Sequence, residues 1–301
     1  MKFNFLRIVE LNRFSYNSFL DFGSEKKEHK FANGFLLGLV LIALTFFVSE
    51  AVALDEEIKA QAREVLKKNA DAIVSMKCVC TQIYSFGTDD GMGQSQKNEC
   101  NMEVPGMIVA SEGLSLFAVD PRMMLMDDEG DKEFNMGGGE KFHIKPKISL
   151  SNVKLVLGNG NEIPAELVLK DTELGLGFVR PKEKPPQPLA YISFGKPREP
   201  EMFDDIISLH RLSRAIDRTT CVAKITERAI QAVVKKPRTF FVGGAELGKP
   251  FFNSKGEALG VGIILRNPVQ ERGTSEERAY VILPSEEVQE LVKQALAAKP
   301  G

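Results

Sequence analysis

Residues 243–253 read GGAELGKPFFN, a glycine-rich turn running straight into an apolar stretch, a layout suited to holding one reactive side chain at a tight bend. The side chain at that bend is Leu247, which has no atom able to attack a carbonyl. Ser254, a few residues on, lies in NSKGE, where serine is an ordinary turn residue rather than a displaced nucleophile. The 3 histidines, His29, His143 and His210, are scattered, and no histidine or cysteine spacing fits zinc. Asp127, Asp128, Glu129 and Asp131 sit in a methionine-rich stretch, 121–143, that lacks the spacing of a calcium loop and reads as a mobile insertion between strands. Its Met123, Met124 and Met126 suit an adaptable contact surface instead. No cofactor is expected.

The cysteines are the remaining reactive groups. Cys78 and Cys80 lie two apart on an expected strand and therefore face one side, while Cys100 lies on the next expected strand. If the two strands form a hairpin, Cys100 can bridge to either; Cys80 with Cys100 is the candidate disulfide, Cys221 being left free. Buried thiols without any bridge fit the sequence equally well.

These groups need a scaffold, and the chain has material for one. Its 301 residues are 43% hydrophobic and 27% charged, the composition of a globular protein with ample core, and a net charge of -2 gives no sign of nucleic-acid binding. The short basic run VVKKPR at 233–238 reads as a solvated strand end. After residue 53 a helix is expected, with Ile58, Ala62, Val65 and Leu66 on one face. Strands dominate thereafter. Val153, Leu155 and Leu157 alternate before an Asn-Gly turn, and Ile163, Ala165, Leu167 and Leu169 after it, which predicts a hairpin. The proline-rich RPKEKPPQPLAYI then marks a linker, and seven further short strands lead to a closing helix. That helix has an apolar stripe of Val288, Leu291, Val292, Ala295 and Leu296, with Ser285 placed to cap it.

The N-terminus reads as a targeting segment. GFLLGLVLIALTFFV (34–48) is free of charge, follows the basic KKEHK and precedes the small-residue motif AVA at 51–53, so export with cleavage after Ala53 is expected. The alternative is a membrane anchor, for which the run is short of the ~20 residues a spanning helix wants.

Many short strands on both sides of a linker suggest two packed β-barrels. With that layout in view, three segments carry a resemblance from about residue 70 to 298. PGMIVASEGLSLFAVD, LVLGNGNEIPAELVLKDTELGLGFV and GAELGKPFFNSKGEALGVGI are similar, in order and spacing, to segments of the trypsin-like serine proteases of the HtrA (Deg) branch. The resemblance implies an all-β chain: two six-stranded β-barrels of the trypsin-like fold, with a short N-terminal and a C-terminal helix. It divides the chain into a signal or anchor at 1–53, a first barrel at 54–183 and a second at 184–301, with no peptide-binding PDZ domain.

It also assigns the chemistry. In that family a serine attacks, a histidine takes its proton and an aspartate orients the histidine. The serine's place falls on Leu247, the histidine's on Asp120 and the aspartate's on Glu173. Leucine cannot form an acyl-enzyme, and a carboxylate of pKa about 3.9 is too weak a base at neutral pH to replace imidazole. Ala245 takes the place of the glycine that supports the oxyanion hole, a costly exchange if the turn needs positive φ there; Glu246 and Lys249 add bulk and charge, while Gly248 and Pro250 keep the strand start. The resemblance brings Asp120 and Glu173 together, a pair able to hold a cation, share a proton or bind Lys249, although salt bridging or exposure is the commoner outcome.

The function expected is therefore that of an exported, periplasmic or secreted protease homologue without peptidase activity. Such a protein would hold a protein or peptide partner, including an active relative, and would touch membrane only through an uncleaved 34–48 segment. The alternative is an active serine endopeptidase whose catalytic residues are misregistered here. It requires a histidine at the cleft between the barrels, and neither His143 nor His210 is expected to reach it.

Overall fold

A computed structural model describes residues 56–88, 91–119, 132–135, 141–213, 215–266 and 278–298. The targeting segment, Asp120 and the acidic residues at 127–131 lie outside the described residues.

Helix α1 (56–69) forms as its apolar spacing predicts: Ile58, Ala62 and Val65 are buried and Leu66 packs beside them. A 3-10 turn, Ala70–Ala72, carries the chain into the first sheet. That sheet contains β1 (Ile73–Thr88), β2 (Gly91–Ile108), β3 (Ser115–Ala118), β4 (Lys132–Asn135), β5 (Lys141–Val156), β6 (Glu162–Asp171) and β7 (Leu176–Pro181). Its order is β1-β2-β3-β7-β6-β5-β4, with β1 also paired to β5, so six strands close into a barrel and β4 lies outside it on β5. Side chains from all six barrel strands, among them Cys78, Val104, Phe117, Leu155, Ala165 and Val179, form one cluster, the alternation expected where every second residue points inward.

The predicted hairpin is present. Val156 stands opposite Glu162, the Leu157 and Gly160 amides close the turn, and Gly160 takes a φ of +85° that its missing Cβ allows. Of the 121–143 stretch, the described residues 132–135 and 141–143 are strand, β4 pairing with β5: Lys132 opposite Ile144 and Asn135 opposite Lys141. Strands β1, β2 and β5 are 16, 18 and 16 residues long against 4 for β3, so they overrun the barrel as a ribbon.

The linker 182–205 has no helix or strand. Beyond it come β8 (Ile206–Arg211), β9 (Cys221–Thr226), β10 (Ala232–Val234), β11 (Phe240–Val242), β12 (Pro250–Phe252), β13 (Ala258–Arg266), β14 (Arg278–Pro284) and the closing helix α2 (Ser285–Ala297). They form a second antiparallel sheet in the order β10-β11-β14-β13-β12-β8-β9. Together with the closed first barrel, the two helices and the strand-dominated chain, this second sheet agrees with the trypsin-like layout expected; among the described residues no pairing joins its end strands β9 and β10.

The two sheets share one core. Met107, Leu116 and Phe178 of the first and Ile207, Val261 and Leu283 of the second belong to a single buried cluster, sealed by both helices. Arg211 adds a polar tie, donating from β8 to the Ile73 and Ala70 carbonyls at 2.7 and 3.0 Å. Two details of α2 differ from expectation. Ser285 is its first residue but does not cap it; its hydroxyl accepts the Gly195 amide at 2.9 Å and fastens the linker. Leu296 ends the expected stripe but is exposed, while Val288 and Ala295 are buried.

Candidate functional site

Three described segments converge where the sheets meet. At the end of β3, the Val119 amide donates to the Gly175 carbonyl at 2.9 Å, which brings the β6–β7 turn alongside the strand that leads to position 120. Glu173 lies in that turn and is exposed; Leu174 is anchored by an amide bond to Asp171 Oδ1 at 2.9 Å. The third segment is the glycine-rich turn. A Cβ placed on Gly248 would stand 3.4 Å from the Pro105 carbonyl oxygen and 3.8 Å from the Ala118 Cβ, so the turn abuts β2 and β3. The end of β3 thus has the β6–β7 turn on one side and the glycine-rich turn on the other.

The turn is built by its glycines. Gly243, Gly244 and Gly248 have φ of +124°, +59° and +73°, values that L side chains rarely adopt. Ala245 is not among the positive-φ residues, so the strain expected of an alanine there does not arise; its methyl packs against the second sheet's inner cluster. Gly248 donates to Gly262 at 2.8 Å and Gly262 to Lys249 at 3.0 Å, pinning the turn to β13. The approach is close: a Cβ on Gly262 would fall 2.0 Å from the Glu246 carbonyl oxygen.

What the turn presents is hydrocarbon and a closed ion cluster. Leu247 is half-buried and packs on the main core. Glu246 accepts from Lys224 at 2.9 Å and from Lys249 at 2.5 Å. Partial burial pushes the Glu246 carboxyl up, but hydrogen bonds from Lys249 and Lys224, and their charges, outweigh it and hold the pKa at about 2. Lys249 therefore pairs with Glu246, its neighbour in the turn. Among the described residues no cluster of three potential ligands could hold a metal ion.

His210 was not expected here, yet it stands beside this cluster. Ser208 of β8 is opposite Phe251 of β12, so His210 lies toward the Lys249 end of the pairing. Burial lowers its pKa first, the Lys249 and Lys224 charges lower it further, and Glu246 opposes them. Its buried Nδ1 has no hydrogen-bond partner, and among the described residues no serine hydroxyl bonds to the ring. Its place beside the turn comes from the strand order, β8 lying between β9 and β12. The side chain of His143 lies outside the described residues; its backbone is in the ribbon, opposite Gly87 and Glu133.

The cysteines fall where the hairpin puts them. Cys80 is directly opposite Cys100 in the β1–β2 register, and Cys78 is opposite Met102. Cys78 and Cys80 are buried, Cys221 is half-buried and Cys100 is exposed. Burial, then the neighbouring Cys100, raises the Cys78 pKa, and burial likewise raises that of Cys221.

Among the described residues, no helix is long and apolar enough to cross a membrane. No protein-family model and no curated protein matches the chain. One solved structure that does match is an HtrA-type protease, AlgW, determined with a decapeptide; it is 13% identical, with 78% of this chain and 67% of that chain covered, at a TM-score of 0.45.

Proposed function

We propose that this protein is a trypsin-like protease homologue that has lost peptidase activity and acts by holding a protein or peptide partner. The observation that carries the reading is the tip of the glycine-rich turn. There the group that should attack a carbonyl is Leu247, packed on the core, and the flanking Glu246 is neutralised by Lys224 and Lys249. No electron pair is available at the tip for acyl transfer, and the charged groups beside it are already satisfied by one another.

The reading extends to location: export through the 34–48 segment, to the periplasm or the exterior, with the mature chain beginning after Ala53. An active relative is one class of partner for such a scaffold. The competing reading, a peptidase with other catalytic residues, is favoured only by the presence of His210 near the turn, and that ring has no hydroxyl partner among the described residues.

The test is direct. Purified protein incubated with unfolded casein and a fluorophosphonate probe is expected to give no cleavage and no labelled serine. A label on one serine, lost in its alanine variant, would replace this reading with that of an active enzyme. Mass spectrometry of the N-terminus of protein recovered from the host envelope or medium checks the export claim.

A further inference from the structure

A second concavity lies away from the turn, where three separate pieces of chain meet. The last turn of α1, the linker at 191–197 and the β12–β13 hairpin enclose an open cavity of about 670 Å³. That volume is near the middle of the ~300–1,000 Å³ typical of ligand sites and far more than a single inorganic anion fills.

The walls are unevenly charged. Each piece contributes a lysine: Lys68 from the helix, Lys196 from the linker and Lys255 from the hairpin. Among the described residues none of the three closes an ion pair, whereas Lys224 and Lys249 at the glycine-rich turn are both held by Glu246. The one lining carboxylate, Glu257, is held by Asn253 Nδ2 at 2.8 Å, and Lys255 stays beyond ion-pair distance of it. Three ammonium groups against one carboxylate leave a cationic cleft.

The cleft is also built, not merely lined. A Cβ on Gly256 would strike Gln61 of α1, so the hairpin is packed tightly on the helix. The linker is fixed by the Gly195–Ser285 bond and by buried Ile192 and Phe194. Along it, 188–201 has no regular structure, and the amides of Ser193 and Lys196 have no backbone acceptor among the described residues. Tyr191 adds a half-exposed aromatic face at 48%.

From these features we infer that this cleft binds an acidic peptide segment of a partner protein. Unpaired linker amides meet the peptide main chain, the three lysines select its carboxylates, and Tyr191 covers its apolar atoms. Main-chain donors beside an aromatic face, in a space of this volume, suit a peptide better than a small anion. The inference rests on the partner-holding reading but not on the loss of peptidase activity.

The experiment is fluorescence anisotropy of a labelled peptide of alternating glutamate and serine, titrated with the full mature chain. Saturable binding is expected, with Lys68→Gln, Lys196→Gln and Lys255→Gln each weakening it about threefold and the triple variant about tenfold or more, at unchanged melting temperature. Glu257→Gln is expected to tighten it, an opposite sign that general damage does not produce. Equal binding of a lysine–serine peptide, undiminished affinity in the triple variant, or complete displacement by pyrophosphate at equal charge concentration would each overturn the assignment. Fluorophosphonate labelling of the same samples separates the two ideas. Labelling with peptide binding intact sinks the inactive reading alone; no label and no binding sinks this one alone.

Discussion

Glu246 and Lys249 are three residues apart and joined at 2.5 Å, with Lys224 reaching the same carboxylate at 2.9 Å from β9. This cluster occupies the shoulder of the turn whose tip is Leu247. Charge here is structural, and its effect on stability has a definite sign.

The Glu246 carboxyl titrates at about 2 in the folded chain against about 4.3 unfolded. A depressed folded pKa contributes stability that is complete above about pH 5 and is lost as pH falls through 2. The side chain is 38% exposed, so solvent screening limits the effect to under ~1 kcal/mol. Glu246→Gln is expected to lower the melting temperature by a few degrees at pH 7, with the gap narrowing steadily below pH 5. A gap that is constant with pH would remove the ion cluster as its cause.

Restoring a hydroxyl at the tip should not restore catalysis. Leu247→Ser supplies an oxygen with no imidazole hydrogen-bonded to it, so fluorophosphonate labelling and peptide hydrolysis are expected to stay at background. The substitution should nevertheless cost about 1–2 kcal/mol in urea melts, because a half-buried side chain leaves the core.

Gly262 has no room for a methyl. A Cβ there would lie 2.0 Å from the Glu246 carbonyl oxygen, and backbone cannot swing aside as a long side chain can. Gly262→Ala is expected to destabilise by about 2–3 kcal/mol and to spread the chemical shifts of the 244–249 amides. An alanine protein that melts with the native chain would show that the turn is not pinned to β13.

Thiol alkylation at neutral pH should follow exposure. Cys100 is expected to react first, Cys221 slowly, and Cys78 and Cys80 only on unfolding, since burial protects them and raises the Cys78 pKa. Peptide mass mapping over time checks the order. Early modification of Cys78 would mean that the barrel end opens readily.

Much of this architecture was readable in the residues themselves. Alternation around Asn159–Gly160 is enough to fix a hairpin, and the spacing of Ile58, Ala62 and Val65 a helix face, because burial of a repeating stripe dominates local preference. The sequence leaves Cys100 facing either Cys78 or Cys80, and the β1–β2 register places it opposite Cys80. Other features depend on distant chain that periodicity cannot see. Ser285 looks like a cap locally, but its hydroxyl is taken by Gly195, 90 residues earlier. The strain expected at Ala245 is carried instead by the glycines around it. His210 reaches the turn only because β8 lies between β9 and β12, an order that sequence spacing does not encode.

The ribbon formed where β1, β2 and β5 overrun the barrel has one further consequence. Strand β2 meets β3 only at Gly106–Ile108, so its outer margin over 91–105 has no strand beside it among the described residues, and 93–101 is solvent-facing throughout. A foreign chain laid there would gain main-chain bonds, yet with neither surface buried a slip along the ladder costs little. Such a margin is adhesive but indiscriminate, and any selectivity in what this protein grips must come from elsewhere on its surface.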